Sequence, residues 1–210
     1  MNQIITISRE FGSDGREFGR RLAEELGIPY YDQEIIQEIA KRVPLSERYI
    51  QTITEHRPIF SYPIHIGRSF YSPTATIWDQ TLQVFQMQAR IITEMAENSD
   101  CVIVGRCANY ILREKKPFRF FIYADMQSKI KRCREKAPEG ELLTDDELVQ
   151  KIKRTDRNRA KYYESYSGLS WGDKLDFDLC LNTSNVAIKN VVPGIADIFR
   201  GTASENHSDI

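Results

Sequence analysis

The sequence predicts an α/β fold of three layers, with helices on both faces of a parallel sheet. Three observations carry this. Short apolar runs at Ile4–Ser8, Cys101–Gly105, Phe118–Ala124 and Phe177–Asn182 have the length and the β-branched or aromatic content of buried strands. Each interval between them admits a helix, and strands alternating with helices mean a parallel sheet with ligand sites at the carboxyl ends of its strands. The first run also passes through two glycines into a helix, a geometry in which backbone N–H groups and the helix dipole converge on an anion.

That first element reads "ITISREFGSDGREFGRRLAEELG" from Ile4. Phe18, Leu22, Ala23 and Leu26 recur at helical spacing, and Gly27 with Pro29 supplies the stop. Set against the phosphate-loop pattern GxxxxGK[ST] and aligned on Gly15, the chain has Glu10 for the first glycine, Arg16 for the lysine and Glu17 for the Ser/Thr. Arg16 keeps the positive charge and adds a planar fork of donors suited to phosphate oxygens. Glu17 puts a carboxylate where a hydroxyl usually touches Mg²⁺, and it repels phosphate unless a metal lies between. Taken alone, the segment is equally a plain strand-to-helix turn.

Further along, "IPYYD" is a shorter strand candidate. Gln33 to Val43 sets Ile35, Ile36, Ile39, Ala40 and Val43 on one helical side, which makes helix N-capping the plain reading of Asp32. Leu82, Phe85, Ala89, Ile92 and Ala96 form the stripe of a longer helix, and "TDDE" from Thr144 is a capping-box start for a helix through about Tyr162. Residues 56–80 are rich in proline and aromatics and have no clean period, and read either as an irregular loop packed over the core or as a partner-facing or nucleotide-binding insertion. In "KIKRTDRNRAKYY", Arg154 and Arg157 lie three apart and can face one ligand, while Arg159 falls nearer the opposite side unless the helix ends or bends. A solvated basic face, or pairing with the acidic "EGELLTDDE" before it, explains such a run equally well.

The totals exclude several function classes. A chain of 210 residues can bury one sizeable core, and a net charge of -1 gives no bulk attraction to nucleic acid or membrane, so any anion site must be local. No stretch approaches the ~20 apolar residues of a membrane span, and the start lacks a secretory apolar region. The four cysteines form no CxxC pair; Cys101 and Cys180 sit in apolar runs, so buried free thiols in a reducing cytoplasm are expected. Three histidines, His56, His65 and His207, supply neither a histidine-rich metal site nor a Ser-His-Asp triad.

In order along the chain, "ITISREFGSDGRE", "YYD", "IVGR", "RTDRNRAKYY" and "FDLCLNTS" resemble the cytidylate-kinase-like family within the P-loop nucleoside monophosphate kinases, from about Ile4 to Phe199. The loop departs from the lysine, glycine and threonine of true cytidylate kinases and resembles the arginine-containing loop of the cytidylate-kinase-like branch. The resemblance implies a P-loop NTPase fold in a single domain over residues 1–202. Its core would be 1–32, 99–137 and 175–202, its acceptor-binding insertion about 33–98, its helical lid about 138–172, and its flexible tail 203–210. It implies ATP and Mg²⁺ as cofactors, with Gly12, Ser13, Asp14, Gly15 and Arg16 around the donor phosphates and Glu17 or Asp32 reaching the metal. Arg106 would hold the acceptor phosphate, helped by Asp156. Arg154, Arg157 and Arg159, with Arg16, would neutralise the transferring phosphoryl group, a chemistry that needs positioning and charge more than a nucleophilic side chain.

The activity implied is ATP-dependent phosphoryl transfer to a cytidylate-like nucleoside monophosphate. Two alternatives stand beside it: a nucleotide-binding or regulatory module without transfer, and a kinase of another small acceptor on the same fold. Nucleotides and a small phosphate acceptor are the expected partners, with neither membrane nor nucleic acid polymer, in the cytoplasm.

Overall fold

The computed structural model of the chain describes residues 2–55, 73–138 and 143–205. The expectations for residues 56–72, for the start of the lid at 139–142, for the tail at 206–210 and for all three histidines lie outside these. The described chain runs β1 (Ile4–Arg9), α1 (Gly15–Leu26), β2 (Tyr30–Tyr31), α2 (Glu34–Arg42), α3 (Glu47–Glu55), α4 (Pro73–Asn98), β3 (Cys101–Val104) and α5 (Ala108–Ile111). It continues through β4 (Phe118–Tyr123), α6 (Met126–Glu135), α7 (Asp145–Ser167), β5 (Leu179–Asn182) and α8 (Ile188–Glu205). All five strands are parallel, in the order β2-β3-β1-β4-β5.

β1 is central because it is apolar on both faces. Every one of its residues is buried, and it pairs Ile5 with Val102 on one side and with Phe118 on the other. Alternate side chains point to opposite faces of a strand. Ile5 and Ile7 therefore pack with Phe18 and Leu22 of α1 and Val192 and Phe199 of α8. Ile4 faces the other way, toward Ile35 and Ile39 of α2 and Ile91 and Ile92 of α4. These are the three layers the sequence predicts. Among the described residues no helix is long and apolar enough to cross a membrane.

Several local expectations shift. α4 begins at Pro73, so the residues from 73 to 80 are helical, with proline at a first-turn position that lacks no needed donor. Ile92 and Ala96 of the predicted stripe are buried and Phe85 and Ala89 half-buried, but Leu82 is 50% exposed, and Thr81, Val84, Gln88 and Ile91 are buried beside them. The helix is turned so that Gln88 reaches the chain after β3, a tertiary demand that periodicity cannot register. The capping box at Thr144 and Glu147 is formed, and α7 extends past Tyr162 to Ser167. None of the four cysteines forms a disulfide, but Cys180 is exposed because β5 is an edge strand whose outer side chains face away from the core.

The connection after β1 runs toward β2, and that after β4 runs toward β5, on the other side. Loops that part in this way leave a crevice at the carboxyl ends of the two strands, where open α/β sheets bind ligands.

Candidate functional site

The loop from Arg9 to Gly15 fills one wall of that crevice. Its shape needs left-handed backbone at Gly12 (φ 75°) and Asp14 (φ 60°). At Gly12 a Cβ would also fall 3.1 Å from the Cβ and carbonyl oxygen of Lys129, so the loop rests directly on α6. Its underside is hydrogen-bonded: the Glu10 N–H donates to Ile122 (2.9 Å), the Phe11 N–H to Asp156 Oδ1 (2.6 Å), and Ser13 Oγ to the Glu10 carbonyl (2.8 Å). The next six N–H groups, Gly12 to Glu17, have no acceptor among the described residues. α1 likewise starts without a side-chain cap. Unsatisfied N–H groups at a helix N-terminus are an anion site by construction.

The loop lines a cleft of about 440 Å³ with Arg132 and Lys136 of α6 and Lys151 and Arg159 of α7. α7 supplies these because its inward stripe continues the spacing of buried Leu148 and Ile152 to Asp156 and Arg159, then to Tyr162 and Tyr163. Arg159 donates to the Arg9 carbonyl (3.0 Å) and lies over the Phe11 ring. Arg154 and Arg157 are on the outward side, exposed, and line a separate cleft with Lys151 and Lys153. The structure thus brings Arg159 to the loop and leaves the other two predicted arginines off it.

Asp156 lies beneath the loop. It accepts from Phe11 N–H and from Lys129 (3.1 Å), and Lys129, 5% exposed, also pairs with Glu10 (2.7 Å). Burial raises the Asp156 carboxyl above its ordinary range, against the opposing pull of the Phe11 N–H, Lys129 and Arg159.

The remaining predicted carboxylates are held by cations. Asp14 pairs with Arg132 (2.9 Å) and Lys136 (2.6 Å). Glu17 gives one oxygen to Arg21 and the other to Lys136; burial raises its pKa, and these two bonds outweigh it and hold the carboxyl low. Asp32 does not cap α2, whose N-cap is Gln33 without a side-chain bond. Its Oδ2 meets Arg16 Nε at 2.7 Å, while Oδ1 is buried without a hydrogen bond among the described residues, 3.6 Å from Arg9. Mg²⁺ carried on phosphates needs only one or two protein carboxylates. Asp32 has the open oxygen for that role, and Glu17 does not.

Arg106 follows β3 in a run of three left-handed residues, Gly105 (φ 77°), Arg106 (φ 57°) and Cys107 (φ 56°). Such conformations cost about 1–3 kcal/mol at each non-glycine residue and persist only where the surroundings impose them. Here Gln88 donates to the Arg106 carbonyl (2.9 Å) and accepts from Tyr162 (3.3 Å), while Asn109 donates to the Tyr163 hydroxyl (2.9 Å). Tyr162, Tyr163 and Cys107 pack with Phe85 and Tyr166, whose rings stack at 3.7 Å. The carboxyl-terminal half of α7 is therefore anchored, although it falls inside the expected lid. Arg106, Arg159, Tyr162, Tyr163 and Trp171 line a second, smaller cavity of about 40 Å³.

Sequence reasoning passed over Arg9, Lys129, Arg132 and Lys136. Arg9 carried a signal, a charged residue ending an isoleucine-rich strand at the carboxyl edge of the sheet. The three cations of α6 carried none, since "KIKRCREK" looks like any solvated basic face.

The model of the cytidylate kinase-like family matches residues 4–185. No curated protein sequence matches the chain. Among solved structures, an uncharacterised protein from Eubacterium ventriosum ATCC 27560 is 27% identical, with 93% of this chain and 97% of that one covered and a TM-score of 0.67. Shikimate kinase from Bacteroides thetaiotaomicron is 14% identical with a TM-score of 0.57, covering 95% of this chain and 99% of that one. Shikimate kinase from Acinetobacter baumannii, solved with shikimate, is 13% identical with a TM-score of 0.51 and 96% of each chain covered. The two shikimate kinases share the P-loop kinase fold with this chain. The family match runs from β1 through the loop, α6 and α7 to β5, so the chain belongs to the cytidylate kinase-like family.

Proposed function

We propose that the chain transfers the terminal phosphoryl group of ATP to a nucleoside monophosphate, with cytidylate the first acceptor to test. One observation carries this reading: six consecutive N–H groups without an internal acceptor, on a loop that lines a cleft walled by cations. The donor phosphates would accept from Gly12 to Glu17. An acceptor phosphate oxygen would attack the terminal phosphorus, the bond to the bridging oxygen would break, and ADP would leave with that electron pair. Negative charge spreads over the equatorial oxygens as this happens, and Arg159 is the guanidinium of α7 positioned to meet it. Arg106 would hold the acceptor phosphate, and Asp156, through Lys129 and Phe11, would fix the loop. Mg²⁺ would neutralise the donor phosphates, with Asp32 Oδ1 its protein carboxylate. The reading implies nucleotides and a small acceptor as partners, in the cytoplasm.

A second reading has its own observation. Arg16 is engaged by Asp32, and Glu17 and Asp14 share Lys136, so part of the loop's charge is already neutralised internally. That suits a module that binds nucleotide without transfer. ADP release, coupled to NADH oxidation and measured across a panel of nucleoside monophosphates and nucleosides, decides. Acceptor-dependent release is expected, and ATP binding with no such release for any acceptor would leave the binding module.

A further inference from the structure

Arg9 has no role in the reading above, yet it is a buried cation at the edge of the crevice. It is 9% exposed, at the carboxyl end of the central strand. Its guanidinium lies across Gly105, where a Cβ would fall 1.9 Å from Nη1, so the backbone after β3 is shaped to admit it. Its Nε is buried with no hydrogen-bond partner among the described residues. The carboxylate nearest to it, Asp32, stands 3.6 Å from it but 2.7 Å from Arg16. Burial, and then the charge of Arg159, draw the Arg9 pKa down to about 9, with Asp32 opposing and Arg16 and Arg106 adding to the fall. A buried guanidinium among like charges is costly, and perturbation of this kind concentrates where a ligand supplies the missing charge.

The space beside it has a matching size. The cavity of about 40 Å³ is lined by Arg9, Arg106 and Arg159 together with Tyr162, Tyr163 and Trp171. One water needs a cavity of roughly 10–15 Å³, so this one has room for a small polar group of more than one atom. The tyrosines bring no negative charge: burial raises both hydroxyl pKa values, and their oxygens are tied to Gln88 and Asn109.

We propose that this cavity, which adjoins the loop's cleft at Arg9 and Arg159, is a second oxyanion site in which Arg9 anchors a phosphate group between Arg106 and Arg159. That this phosphate is the acceptor's rests on the kinase reading; that the cavity takes a tetrahedral oxyanion does not. Arg9 is then the residue that sets specificity for phosphorylated over unphosphorylated acceptors.

Titration of the full chain with inorganic phosphate, by calorimetry and by thermal unfolding, tests it, with and without a saturating non-hydrolysable ATP analogue. Phosphate is expected to bind equally in both conditions and to raise the melting temperature. Arg9→Met should melt no lower than the natural chain without phosphate, because it relieves repulsion. It should also lose the phosphate-dependent rise and bind phosphate at least tenfold more weakly. Arg9→Lys, which keeps the charge but not the fork, should fall between. Displacement of phosphate by the analogue would assign the anion to the nucleotide and overturn the proposal. So would Arg9→Met binding phosphate within twofold of the natural chain, or melting well below it without phosphate. If no acceptor supports ADP release while Arg9-dependent phosphate binding persists, the kinase reading falls and the site stands.

Discussion

Lys129→Met removes the cation on which the loop rests while keeping an unbranched stem of similar length. Lys129 joins two carboxylates, Glu10 at 2.7 Å and Asp156 at 3.1 Å, and its side chain is 6% exposed against 25% and 16% for theirs. Breaking a buried ion pair by removing one partner costs about 3–5 kcal/mol, because it strands the other charge. Water reaches both carboxylates here, so the low end, about 3 kcal/mol, applies. For a chain of this size that is a fall in melting temperature of roughly 6–12 °C at pH 7. The deficit should also depend on pH, with a definite sign. Asp156 already has a raised folded-state pKa, which loss of Lys129 lifts further. A carboxyl whose folded pKa exceeds its unfolded one weakens the fold increasingly as pH rises through the folded value, and this penalty fades as pH falls toward the unfolded one. Thermal unfolding followed by circular dichroism at pH 7 and pH 5 measures both effects, and the deficit should shrink at pH 5. A fall of under 2 °C, or a deficit independent of pH, would refute the view that Lys129 supports the loop.

Arg159→Ala should lower acceptor-dependent turnover by about a hundredfold while ATP affinity changes little, the pattern of an interaction made mainly in the transition state. Arg157→Ala, on the outward side of α7, should alter turnover less than threefold, and equal losses in the two variants would show that α7 rotates in the working enzyme. Gly105→Ala places a methyl 1.9 Å from Arg9 Nη1 on left-handed backbone. Left-handed backbone at alanine costs about 1–2 kcal/mol and the clash adds to it, and unfolding in urea should show a smaller loss when Arg9→Ala is already present. In brief alkylation read by mass spectrometry, exposed Cys180 should react first and Cys133 next. Buried Cys101, its thiol raised to about 11, and Cys107, raised further, should stay unmodified until the chain unfolds.

Much of the candidate site could be read from the order of residues. A glycine-rich turn between an apolar strand and a helical pattern implies a ligand-facing loop, and Arg106 after "IVG" stands at a strand's carboxyl end. The faces of α7 were harder. Spacing sets Arg154 and Arg157 together and Arg159 nearer the opposite side, but nothing in a run of charges reveals which side will meet the sheet; of the three, only Arg159 shares the stripe of Leu148, Ile152 and Tyr163. Asp32 read equally as a cap or a metal ligand. Its ion pairs with Arg16 and Arg9 join the end of β2 to the loop after β1, a contact no local rule predicts.

By itself the sequence determined the elements and their class, because period, turn residues and capping are local: apolar runs of strand length, helices between them, the box at Thr144, and a parallel sheet to accommodate the alternation. Only the tertiary structure decided which charges are buried and which partners they meet. Arg9 stands out as a charge ending a strand, but nothing marks it as buried until β3 returns beside β1 and lays Gly105 beneath its guanidinium. Lys129 looks solvated until α6 packs under the loop and brings Glu10 and Asp156 to it. Charge–charge energies depend on distance and on the exclusion of water, and both are set when segments far apart in the chain come together.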